Sequence, residues 1–68
     1  MGERQAIIRD IRRHADEYGM AKLAAATGIG RTNIYRMLGK DGNPTADNLF
    51  NILRALNLRL VITKKDDD

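Results

Sequence analysis

LAAATGIGRTNIYRML, residues Leu23 to Leu38, is the stretch on which the reading of this chain turns. Leu23, Ala24 and Thr27 fall on one face of a short helix. Gly28 follows, a residue that takes the positive φ of a sharp turn without a Cβ penalty. Ile29 is placed to plug the corner, and Ile34 and Leu38 repeat at i, i+4 on a second helix. Between those apolar positions stand Arg31, Thr32, Asn33, Tyr35 and Arg36, all able to hydrogen-bond and none acidic. Two helices about a tight turn, the second turned toward a polyanion, make a helix-turn-helix pattern.

The length, 68 residues, allows one small domain, expected to span 1–68. Such a domain buries only about 60% of its unfolded surface, so outside support is expected. With no cysteine and one histidine, neither disulfides nor a structural zinc supplies it, which leaves oligomerisation. No apolar run approaches the ~20 residues of a membrane span. The first residues, MGERQAIIRD, lack the long apolar core of a signal peptide, so the expected location is the cytoplasm.

Charge is unevenly placed. Bases and acids balance over residues 1–19. Lys22, Arg31, Arg36 and Lys40 then face only Asp41, and Arg54, Arg59, Lys64 and Lys65 face only Asp47. Asp66 to Asp68 offset the surplus at the end. A basic middle suits nucleic acid, with a merely solvated basic surface as the alternative.

Outward from the central stretch, Ile7, Ile8, Ile11, Ala15 and Tyr18 recur at helical spacing, predicting an amphipathic helix over 3–18 that Gly19 ends. His14 lies at the edge of that stripe, with no second histidine or nucleophile near it, and is read as structural or solvated. The alanine-rich segment 20–27 forms the second helix and 31–38 the third. Gly30 stands at the N-cap of the third, without a side-chain acceptor. The turn formers of 39–44 depart from a phosphate loop, since no Ser or Thr follows Lys40. Thr45 caps a fourth helix over 45–56, whose apolar face is read as Ala46, Leu49, Phe50, Leu53 and Leu56, with Asn57 beyond its end. Leu58, Leu60 and Ile62 alternate with Arg59, Val61 and Thr63, a strand pattern over 58–63. A lone strand has unpaired backbone groups, so its expected partner is the same strand of a second copy or a strand of another protein; a short extended tail packed on the fourth helix is the alternative. Residues 64–68 are expected to fray.

The spacing Leu-Ala-x-x-x-Gly-x-x-x-x-x-Ile-x-x-x-Leu resembles the helix-turn-helix of phage repressors, Cro proteins and their antitoxin relatives, the XRE group. The resemblance continues through GNPTADNLFNILRALNLRLVI, which looks most like HigA-type antitoxins, the putative addiction-module antidote proteins. It implies an all-α, four-helix repressor-like domain with a C-terminal strand that pairs across a homodimer through Leu58, Leu60, Val61 and Ile62. It further implies sequence-specific binding of double-stranded DNA at an inverted-repeat operator and a small ribonuclease-type toxin as partner. Relatives often carry serine where this chain has Gly30.

On this reading Arg31, Thr32, Asn33, Tyr35 and Arg36 read bases, while Lys22, Gly30, Lys40 and Asn43 contact phosphates. A Cro-like regulator without a toxin is an alternative. So is a protein-binding module acting through the terminal strand. The chain has no serine and no cysteine, which excludes a Ser/Cys–His constellation, and its helix-borne carboxylates lie among arginines with which they form salt bridges. No enzymatic activity, metal or cofactor is expected. Three aromatics, Tyr18, Tyr35 and Phe50, give no stacking platform for RNA.

Overall fold

A computed structural model describes residues 3–64 and contains four helices: α1 (Glu3–Tyr18), α2 (Met20–Thr27), α3 (Arg31–Met37) and α4 (Ala46–Ala55). Among the described residues there is no strand, so the architecture is all-α.

Sequence chemistry sets each boundary. α1 ends where Gly19 takes φ 107°, and its N–H returns to the Ala15 carbonyl at 2.9 Å. α2 ends at Gly28, left-handed at φ 76°, with its N–H on the Ala24 carbonyl. That φ is open to glycine and costly for a residue with a Cβ. α3 starts from Gly30 with no side-chain cap, and it stops at Met37 rather than Leu38, which serves as the C-cap. Thr45 caps α4 by accepting the Asn48 N–H at 3.2 Å. α4 ends at Ala55 rather than at residue 56, and Asn57 beyond it takes φ 59°, the left-handed conformation asparagine tolerates.

One core joins the four helices. Ile8, Ile11 and Ala15 come from α1, Met20 and Leu23 from α2, Ile34 from α3, and Ile52 and Leu53 from α4, with Leu38 beside them. Leu23, Ile34 and Ile52 are fully buried. Each contributes about 1.5–3 kcal/mol of burial. α2 occupies the centre, packing on each of the other three helices. Ile29, Leu49, Leu56 and Leu58 pack around this core, half-buried.

The apolar face of α4 differs from the sequence reading. Ile52 carries it together with Leu49, Leu53 and Leu56, whereas Phe50 is 51% exposed and Ala46 is exposed. At roughly 100° per residue, Phe50 lies a quarter-turn past Leu49, on the side away from Ile52. Ile7 is displaced from the α1 stripe in the same way and is exposed.

The segment expected as a strand, 58–63, forms no ladder and no helix among the described residues. Leu58 donates its N–H to the Leu53 carbonyl at 2.8 Å and packs on the core. Leu60, Val61 and Ile62 are exposed. A strand needs a second strand, and no other segment among the described residues supplies one. Of the expected frayed tail, Lys64 is exposed, and 65–68 lie outside the described residues.

Candidate nucleic-acid interface

α2, the three-residue turn from Gly28 to Gly30, and α3 form the candidate surface. Its geometry begins with Thr27. The Thr27 hydroxyl donates to the Leu23 carbonyl at 2.8 Å and accepts the Ile29 N–H at 3.2 Å. Asn51, from the middle of α4, donates its side-chain N–H to the Thr27 carbonyl at 3.0 Å. The end of α2 and the entry to α3 are thereby tied to α4. The sequence reading did not name Asn51. Its only signal there is an amide standing between Phe50 and Ile52 in an otherwise amphipathic helix.

α3 is seven residues long and is fixed by Ile34, fully buried, and by Leu38 just past its end. With Ile34 pointing inward, Arg31, Thr32, Asn33, Tyr35 and Arg36 are all exposed. No acid occurs from Tyr18 to Lys40. The four phosphate-contact candidates, Lys22, Gly30, Lys40 and Asn43, are exposed as well.

These positions do not share one site. Asn33, Arg36 and Asn43 line a shallow cleft of about 250 Å³ together with Ile29, Met37 and Thr45. Lys40 lies instead on a second cleft, of about 320 Å³, beside Gln5, Arg9 and Arg12 over a floor of Ile8 and Leu38. The Lys22 ammonium lies 4.5 Å from the centre of the Tyr18 ring. The guanidinium of Arg12, on the second cleft, lies 5.1 Å from the centre of the Tyr35 ring. Arg12 in turn donates Nε to both carboxylate oxygens of Asp16, at 3.1 and 3.3 Å. Asp10 makes a further ion pair on α1, 3.7 Å from Arg13. The α1 carboxylates Asp10 and Asp16 are thus engaged by arginines, as the sequence reading expects.

Glycines shape the exit from α3. Gly42 is buried, and a Cβ there would collide with the Met37 carbonyl. The chain therefore folds back onto the end of α3 before turning into α4, which holds Asn43 beside Asn33 and Arg36.

Among the described residues, no group of His, Cys, Asp and Glu side chains is arranged to hold a metal ion, and no helix is long and apolar enough to cross a membrane.

Comparison with known proteins adds the family. The model described as "Probable addiction module antidote protein" matches residues 1–64. The chain belongs to that antidote family. A relative from Haemophilus influenzae, described as an uncharacterized protein, is 35% identical over 43 residues. The match covers 63% of this chain and 44% of the relative, so the chain spans under half of that protein's length. No solved structure matches. Membership in the antidote family agrees with the antitoxin side of the resemblance seen in the sequence.

Proposed function

We propose that this chain is the antidote of a toxin–antidote pair and that, as a cytoplasmic homodimer, it binds double-stranded DNA and represses its own operon. The observation that carries the DNA-binding part is α3. It buries Ile34 and presents Arg31, Thr32, Asn33, Tyr35 and Arg36 outward, in a stretch of sequence, residues 18–40, that carries no acid. Membership in the antidote family supports the toxin partner; the sequence resemblance favours a small ribonuclease-type toxin.

In this reading α2 and α3 act as a helix-turn-helix. Arg31 and Arg36 pair with guanine edges and Asn33 with adenine, and Thr32 and Tyr35 complete the contact in the major groove. Lys22, Gly30, Lys40 and Asn43 hold phosphates and set the register. Two copies joined through Leu58, Leu60, Val61 and Ile62 would present two such helices to an inverted repeat with half-sites ~34 Å apart. The protein acts by binding alone, with neither catalysis nor a cofactor.

Titrating the protein with its own promoter duplex and with a scrambled duplex, at several salt concentrations, tests this. Arg36→Ala should cost about 1–3 kcal/mol on the promoter and relax preference at one base pair. Lys40→Ala should weaken both duplexes alike and reduce the salt slope by about one. Equal losses on both duplexes for Arg36→Ala would overturn the assignment of α3.

A second reading rests on the exposure of Leu60, Val61 and Ile62: a protein-binding module working through that segment. Such a module would retain a protein partner and prefer no duplex. A Cro-like regulator would bind the duplex and retain no protein expressed from the neighbouring gene.

A further inference from the structure

Tyr35 is one of the five side chains assigned above to base reading, and it alone among them is held by α1. The Arg12 guanidinium lies over its ring at 5.1 Å, within the distance at which a cation is drawn to an aromatic face. Arg12 is not loose itself. Its Nε is shared between the two carboxylate oxygens of Asp16, one turn further along α1. The chain Asp16–Arg12–Tyr35 runs from one helix to another and ends on an aromatic ring that is 41% exposed. An exposed tyrosine on a seven-residue helix would otherwise sample several rotamers, and ordering it on binding would cost entropy.

The geometry points to Arg12 as a positioning residue for DNA recognition: anchored by Asp16, it fixes the Tyr35 ring before DNA arrives and so sharpens base preference. The inference rests on the DNA-binding reading above and adds to it a determinant outside α2 and α3. Arg12 touches no base in this scheme; it acts through Tyr35. A direct phosphate contact by Arg12 is the competing account, and the two differ in what they do to salt dependence.

The test uses the full chain on promoter and scrambled duplexes across a salt series, with Arg12→Ala, Tyr35→Leu, the double variant, and Arg13→Ala as a same-charge control on the same helix. Positioning predicts that Arg12→Ala lowers promoter-over-scrambled discrimination about two- to five-fold. Affinity for the scrambled duplex and the salt slope should stay as they are. In the Tyr35→Leu background, Arg12→Ala should change nothing further, and Arg13→Ala should leave discrimination intact. Asp16→Asn removes the charged anchor without touching the ring, and it should lower discrimination in the same direction by less. It also keeps the test available if Arg12→Ala folds poorly. Uniform losses on both duplexes with a shallower salt slope would make Arg12 a phosphate contact and overturn the proposal. So would full additivity with Tyr35→Leu. A wild-type protein that prefers no duplex overturns the DNA reading and this role with it. A wild-type protein that discriminates, with Arg12→Ala and Asp16→Asn unaffected, overturns the positioning role alone.

Discussion

Asn51 donates a hydrogen bond of 3.0 Å to the Thr27 carbonyl, joining the middle of α4 to the last residue of α2 across 24 positions of chain. The Thr27 carbonyl sits at a helix C-terminus, where backbone acceptors lack helical partners. Removing the donor should leave that carbonyl short of a partner in a half-buried place. Asn51→Ala is therefore expected to cost about 1–2 kcal/mol. In a domain of this size about 1 kcal/mol lowers the melting midpoint by roughly 4–8 °C, which thermal denaturation would show. An unchanged midpoint would mean that the bond does not hold the turn.

Ile52 and Phe50 are two residues apart, yet truncating them should differ several-fold in cost. Ile52→Ala opens a cavity at a fully buried site and is expected to cost about 2–5 kcal/mol, a large share of a small domain's stability. Phe50→Ala, at a site 51% exposed, should change stability by about 0.5 kcal/mol or less. Urea titrations of the two variants would separate them.

Gly42 is a test of backbone approach. A methyl group there meets the Met37 carbonyl, which belongs to α3 and cannot swing aside as a side chain does. Gly42→Ala should lose about 1–3 kcal/mol by overpacking. Gly30→Ala, where the nearest atom is the Asn33 amide nitrogen at 4.0 Å, should be tolerated. Circular-dichroism melts of both variants check the contrast.

Arg31 stands in the first turn of α3, where the helix dipole favours an acid. Arg31→Glu should accordingly stabilise the free fold by about 0.3–1 kcal/mol. On the proposed reading it should also weaken promoter binding, since it places a negative charge against phosphates and bases. Opposite signs in a melt and in a binding titration would support that reading. A variant that was stabilised and bound as before would place Arg31 away from DNA.

Leu60, Val61 and Ile62 are exposed, and among the described residues no segment covers them. If a second copy pairs with this segment, Val61→Pro removes a ladder donor without touching α3. The variant should sediment as a monomer and lose cooperative binding to paired half-sites while keeping some affinity for one. A dimer with unchanged affinity would move the interface elsewhere, and the exposed Ile7 of α1 would be the first place to look.

The sequence by itself determined the four helices and the turns between them. Gly19, Gly28 and Thr45 act through their own φ or their own hydroxyl, so their effect is local and legible. The buried positions at Leu23, Ile34 and Leu38 were legible too, because a helical period places them on one face. Periodicity fixes a face only to within a residue or so. Phe50 and Ile52 therefore cannot be told apart by period alone: the packing of α4 against α2 decides which edge of the arc is covered. The tie from Asn51 to Thr27 and the Arg12–Tyr35 stack join residues far apart in sequence, and nothing local in the sequence signals such a partner. The separation of Lys40 from Asn43 onto different clefts is of the same kind. Their short loop bends back because Gly42 lets backbone meet backbone, and only the folded chain shows which way each side chain then faces.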